Sequence, residues 1–292
     1  MRGFFFFAFP LTYVCLVNQA KLRNLTTRAL SGAVFVVVVI GALFLGQAAT
    51  GFLFLIAATI GLYELTGLNA QKGSAKTLNW LNIAAGMLSY MLVFLLGLGL
   101  LEHSVIWILL IVFFFLLAID VLMTRSEPPS GAPAALTGMI YVSLPFALIS
   151  VISTLSGEWN PWLMLGFFLI LWTNDTGAYL TGMAVGRTKL FPAVSPNKTW
   201  EGLIGGIIFS LGVAWLLSLY HPVLDLSDWL LMAACVGVFG NIGDLYESYL
   251  KRNAGVKDSG SIMPGHGGVL DRFDGLLFSL PVFLSLYFLI HS

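Results

Sequence analysis

The sequence predicts an all-α, polytopic integral membrane protein with about nine transmembrane helices. Of its 292 residues, 58% are hydrophobic and 10% are charged, where a soluble domain carries roughly 25% charged residues. Mean hydropathy is +0.92, and the apolar residues gather into runs of about 20, the length that crosses a hydrocarbon core as a helix. Nothing alternates like a barrel strand, and backbone groups in lipid must be paired within their own segment, so helices are the expected form.

The runs lie near residues 29–46, 50–68, 78–100, 104–123, 135–155, 161–182, 201–220, 228–247 and 275–291. Trp80, Trp159, Trp162, Trp200 and Trp229 fall near their ends, as interfacial anchors do. If residues 18–28 are cytoplasmic, alternate loops put every lysine and arginine except Arg2 on the cytoplasmic side. The opposite loops carry Glu102, His103, Glu158, His221, Asp225 and Asp228. This asymmetry sets the orientation and checks the number of spans, because one missed helix would scramble it. Ahead of the first span, GFFFFAFPLTYVCLV is short for a span and broken by Pro10. It reads either as a peripheral or tenth helix, or as a dispensable signal-like extension. Cys15 and Cys235 sit in separate apolar runs without metal-ligand or disulfide spacing. The zero formal net charge says nothing about an acidic or basic partner, and no nucleic-acid partner is expected.

The polar residues inside or beside these spans carry the functional information, since an ionisable group at mid-depth costs roughly 2.5–3.5 kcal/mol on insertion scales. Glu64 and Asp120 lie near cytoplasmic helix ends, where they reach the interface or pair locally. The sixth span holds Asn174, Asp175, Thr176 and Tyr179, with Asp175 and Tyr179 four apart on one face. Next come Lys189, Ser195, Lys198 and Thr199. SPNKTWEG reads as the start of a helix, with Glu201 in its first turn, and Lys198 beside a helix N-terminus is a candidate anion contact. GNIGDLYESYLKR closes the eighth span with Asp244, Glu247 and Ser248 on one face. After the chain's longest loop, PGHGGVLDRFDG supplies His266, Gly267, Gly268, Asp271, Arg272 and Asp274.

Two acidic pairs at one membrane face repel, and a divalent cation relieves that. Carboxylates without clustered cysteine or histidine favour a hard ion, Mg²⁺ before Zn²⁺. Lys189, Lys198, Lys251, Arg252, Lys257 and Arg272 then exceed what the acids need, and the surplus suits a polyanion. The constellation fits phosphoryl or nucleotidyl transfer. There is no GxxxxGK[ST] loop, but Gly265, Gly267 and Gly268 could let backbone N–H groups approach phosphate.

Residues 248–274, SYLKRNAGVKDSGSIMPGHGGVLDRFD, closely resemble the signature of the phosphatidate cytidylyltransferases, or CDP-diacylglycerol synthases. WTNDTGAY, GRTKLFPAVSPNKTWEG and GDLYES resemble further segments of that family, so the likeness covers about residues 165–275. It implies CTP and phosphatidate as substrates, CDP-diacylglycerol and pyrophosphate as products, a homodimer, and a multi-pass place in the cell membrane with the site facing the cytoplasm. Three regions are expected: an apolar extension with a basic segment (1–28), N-terminal transmembrane helices (29–160) and a catalytic transmembrane region (161–292).

The resemblance implies a metal centre on Asp244 and Asp271, with Asp274 or Asp175 as further support, for Mg²⁺ with or without a second cation. The catalytic candidates are Asp244, Asp271, Lys198, Arg272 and His266, although an already ionised lipid phosphate needs no strong base. Substrate contacts are expected from Asp175, Tyr179, Lys189, Ser195, Lys198, Thr199, Ser248, Arg252, Lys257, Gly267 and Gly268. The alternatives are a nucleotidyltransferase for another lipid phosphate and an anionic-lipid transporter.

Overall fold

The computed structural model describes residues 30–70, 76–123, 131–260, 262 and 267–292. The expectations for residues 1–28, for the Asp120 side chain, for Gly265 and for His266 fall outside what it describes. Among the described residues nine helices follow in order. They are α1 (Leu30–Leu45), α2 (Gln47–Ala70), α3 (Lys76–Gly97), α4 (Ile106–Met123), α5 (Gly131–Ser153), α6 (Pro161–Val185), α7 (Trp200–Tyr220), α8 (Leu226–Asn253) and α9 (Leu270–His291).

Six of them, α2, α3, α5, α7, α8 and α9, are long and apolar enough to cross a membrane. Two further apolar helices, Leu30–Leu45 and His103–Ile119, are shorter. Helix α6 has 25 residues, but Asn174, Asp175 and its threonines dilute its apolar character. Among the described residues length and composition thus support six spans, and the sequence suggested about nine.

The all-α expectation needs one correction. Between α6 and α7 lies an antiparallel hairpin of β1 (Lys189–Phe191) and β2 (Ser195–Thr199), with Lys189 opposite Thr199 and Phe191 opposite Ser195. SPNKT is therefore a strand, and the helix starts only after it. Thr199 is the N-cap of α7: its Oγ1 accepts the Gly202 N–H at 3.1 Å, satisfying a donor that the first helical turn leaves unpaired. Glu201 accepts the N–H groups of Arg187 and Thr188, both at 3.1 Å, and so ties the hairpin to α7.

Small residues bring the helices of the second half together, as in membrane bundles generally. A Cβ on Gly206 of α7 would stand 2.8 Å from the Asn174 backbone oxygen on α6, and one on Gly177 would stand 2.8 Å from Phe209 Cβ. Helices α8 and α9 touch through Gly240, Gly243 and Gly275: a Cβ on Gly240 would lie 3.9 Å from Gly275 Cα, and Gly243 has no room for one beside the Asp274 carbonyl. These glycines precede Asp244 and follow Asp274, so backbone contact sets the two acids side by side. A π-turn at Val236–Gly240 widens α8 just before Asn241 and Asp244, a local re-aiming common near functional sites.

The core under this end is aromatic. Phe273, between Arg272 and Asp274, is buried and meets Phe146 at 5.0 Å, Phe35 at 5.3 Å and Phe54 at 5.8 Å between ring centroids. It anchors the first turn of α9 while its polar neighbours reach outward. At the opposite end Trp162 stacks on His221 at 4.4 Å, and His291 stands 3.5 Å from Asp228. Trp229 departs from the interfacial expectation: it is fully buried, with its indole N–H donated to the His221 carbonyl at 3.3 Å.

Candidate active site

Four elements converge at the first end of the bundle: the end of β2, the C-terminal part of α8, the segment 257–260 and the N-terminus of α9. Together with Asp175 of α6 they wall a cavity of about 380 Å³. Its acids are Asp175, Asp244, Glu247, Asp258, Asp271 and Asp274; its bases are Lys198, Lys251, Arg252, Lys257 and Arg272. Residues from Asp175 to Gly275 thus form one polar chamber in an apolar protein.

Two ion-paired groups organise it. Lys198 Nζ lies 2.5 Å from Asp244 Oδ2 and donates to Asn241 Oδ1 at 3.2 Å. Asn241 in turn donates its amide to the Gly237 carbonyl at 2.9 Å, and Ser248 Oγ reaches Asp244 Oδ1 at 3.4 Å. Lys251 bridges Glu247, one turn earlier on α8, and Asp271 Oδ1, the latter at 2.5 Å. Asp271 Oδ2 accepts the Gly268 N–H at 2.8 Å, the Ser259 N–H at 2.9 Å and the Ser259 hydroxyl at 3.0 Å.

Asp244, Glu247 and Asp274 each present a carboxylate oxygen, all within 4.8 Å of one another. Glu247 is 1% exposed; among the described residues its carboxylate meets the Lys251 ammonium and lies beside the Asp271 carboxylate, and its other oxygen accepts no hydrogen bond. Three hard oxygen donors, one of them buried and under-satisfied, fit a divalent cation. Asp271, expected in this set, lies next to the trio, sharing the Lys251 ammonium with Glu247. The signal for Glu247 was its spacing of three from Asp244 on one helical face.

The other expected residues divide. Arg252, Lys257 and Arg272 line the cavity, and Asp175 lies within electrostatic reach of Lys198, Asp244 and Arg272. Tyr179 and Thr199 border an adjoining cavity of about 430 Å³ that shares Asp175, Lys198, Asn241 and Asp244. Lys189 and Ser195 sit on the hairpin and line neither cavity. Gly267 has φ +83°, a conformation suited to glycine, and a Cβ there would run into Asp271. The Gly268 N–H, expected to face phosphate, is donated within the protein to Asp271. A third cavity, about 290 Å³, joins Asp175, Asp271, Arg272 and Asp274 to Phe35, Val36 and Trp172.

A mostly helical bundle with several membrane-length helices and a carboxylate-rich chamber ringed by basic groups marks a multi-pass membrane protein with acids that could hold a metal ion. The family model for the cytidylyltransferase family matches residues 26–290, and the chain belongs to that family. It is 52% identical over 117 residues to a Staphylococcus haemolyticus (strain JCSC1435) protein named phosphatidate cytidylyltransferase. It is 53% identical over 117 residues to the protein of that name from Staphylococcus aureus (strain COL). Each match covers 39% of this chain and 45% of the relative's length.

Proposed function

We propose that the protein transfers the cytidylyl group of CTP to phosphatidate, forming CDP-diacylglycerol and pyrophosphate. The observation that carries this reading is the joining of the Asp244, Glu247 and Asp274 carboxylates to Lys198, Lys251, Arg252, Lys257 and Arg272 in one chamber at the end of an apolar bundle. The names of the relatives support the choice of substrates.

In the reaction a lipid phosphate oxygen forms a bond to the α-phosphorus of CTP, and the bond from that phosphorus to the bridging oxygen of pyrophosphate breaks. The nucleophile arrives ionised, so no strong base is needed. The work is positioning and charge neutralisation. Asp244, Glu247 and Asp274 would hold Mg²⁺, which when bound neutralises phosphate charge. Asp271 Oδ1, now held by Lys251, would be the next carboxylate oxygen available to such an ion. Lys198, Arg252, Lys257 and Arg272 bind the triphosphate and the lipid phosphate and stabilise charge that develops on the leaving group. The cavity walled by Phe35, Val36 and Trp172 gives a lipid phosphate an apolar approach to Asp271 and Arg272.

In this reading α1, α4 and α6 also cross the membrane, giving nine spans. The lysine and arginine asymmetry puts the chamber at the cytoplasmic face of the cell membrane, where CTP is soluble. The functional unit is a homodimer, as the resemblance implies. A panel of lipid phosphates, each supplied with CTP and Mg²⁺, tests the substrate. Phosphatidate should give the fastest pyrophosphate release; faster release with a polyprenyl or ether-lipid phosphate would move the assignment to that lipid.

A further inference from the structure

Glu64 is an acid that the proposed reaction leaves unused. It lies on α2, in the half of the chain without a recognisable motif, and is 5% exposed. Its carboxylate spans to residues about 200 positions later: Oε1 accepts the Val269 N–H at 3.0 Å, and Oε2 accepts the Leu270 N–H and the Ser259 hydroxyl, each at 3.0 Å. Val269 and Leu270 open α9, whose first N–H groups lack partners within the helix and whose positive end favours a carboxylate.

The same Ser259 hydroxyl stands 3.0 Å from Asp271 Oδ2, so one hydroxyl hydrogen is shared between two carboxylates. The Ser259 N–H, donated to Asp271 at 2.9 Å, keeps Asp271 supplied when the hydroxyl turns to Glu64. Three glycines are shaped around this contact. A side chain on Gly260 or on Gly268 would run into the Glu64 carboxylate. One on Gly61, a turn earlier on α2, would stand 3.2 Å from Leu270; its absence lets the two helices approach.

We infer that Glu64 is a positioning residue. It fixes the start of α9 and Ser259 together, so that Asp271 holds Lys251 beside Glu247 and the acidic trio. The N-terminal helices thereby set the geometry of a site whose reacting groups come from the other half. This inference rests on the proposed nucleotidyl transfer.

The test uses the full chain in detergent or nanodiscs, with Glu64→Ala and Glu64→Gln assayed beside the unaltered protein. Amide hydrogen exchange is followed across residues 257–273, and pyrophosphate release from CTP and phosphatidate is measured over a Mg²⁺ titration. In Glu64→Ala the 257–273 segment should exchange faster. Its kcat should fall about 10–100-fold, the range seen when a group behind a metal ligand is removed. The Mg²⁺ requirement should rise while KM for CTP moves less than about threefold, since orientation rather than binding is lost. Glu64→Gln retains one accepting oxygen and should fall between, and it decides the matter if Glu64→Ala does not fold. Folded variants with kcat and Mg²⁺ dependence within about twofold of the unaltered protein would overturn the inference. If the unaltered protein itself releases no pyrophosphate, the proposed function fails instead. The exchange measurement then still judges the contact: unchanged exchange across 257–273 overturns it.

Discussion

Lys198, the penultimate residue of β2, meets Asp244 of α8 at 2.5 Å, Nζ to Oδ2. The contact joins the hairpin to the acidic trio and places one mobile positive charge where a cation and a triphosphate would meet. An ammonium held by one carboxylate and one amide oxygen can turn to phosphate without a large change of backbone, because a lysine stem is flexible. Lys198→Met should therefore lower kcat/KM for CTP by about 10²–10³-fold, the scale of removing one preorganised charge or donor from a transition state. Steady-state kinetics on folded protein check this; a loss under about threefold would leave Lys198 as a structural partner of Asp244.

Asp271→Asn should abolish measurable turnover, a drop of at least about 100-fold, while the protein remains inserted and monodisperse. The neutral amide no longer balances Lys251, and one of its two atoms no longer accepts the N–H and O–H donors of Ser259 and Gly268. Size-exclusion chromatography paired with the activity assay tests it, and retained turnover at saturating Mg²⁺ would remove Asp271 from the site.

Thr199 gives a different expectation from its neighbour. Its hydroxyl caps α7 through Gly202, so Thr199→Ala should cost about 1 kcal/mol of stability, read as a lower melting temperature. KM for CTP should move less than about twofold. Thr199→Ser should restore the melting temperature, and a large rise in KM with Thr199→Ala would return Thr199 to the substrate contacts.

The two ends of the bundle make a paired test of topology. Asp225→Asn, at the N-cap position of α8 without a capping side-chain bond, should leave turnover within about twofold. Asp244→Asn, near the other end of the same helix, should reduce it by at least about 100-fold. Strong loss at Asp225 would contradict the placement of the reaction at one end.

What the sequence made legible was local. Spacings of three and four on α8 and α9 placed Asp244, Glu247, Asp271 and Asp274 on helical faces, and those faces do meet at the chamber. The hairpin was not legible, because strands of three and five residues are too short to show alternation and SPNKTWEG reads as the start of a helix. The role of Glu64 was hidden for another reason. Its partners lie in a segment whose register against α2 is set by packing at Gly61, Gly260 and Gly268, which no local pattern encodes. Asp271 was legible as a candidate site residue but not as the holder of Lys251, since that pairing depends on how α8 and α9 close over Gly243 and Gly275. Trp229 looked like an interfacial anchor because it begins an apolar run, yet helix packing around Gly166 encloses it.

The most direct measurement follows the phosphorus that is proposed to move. The unaltered protein is incubated with Mg²⁺, phosphatidate vesicles and CTP labelled at the α-phosphorus, and the organic phase is extracted. Label should appear there as CDP-diacylglycerol in equal amount with released pyrophosphate, and should be absent without phosphatidate or with Asp271→Asn. Folded protein that leaves all the label in the aqueous phase, or that moves phosphatidate across a bilayer without consuming CTP, would contradict the account.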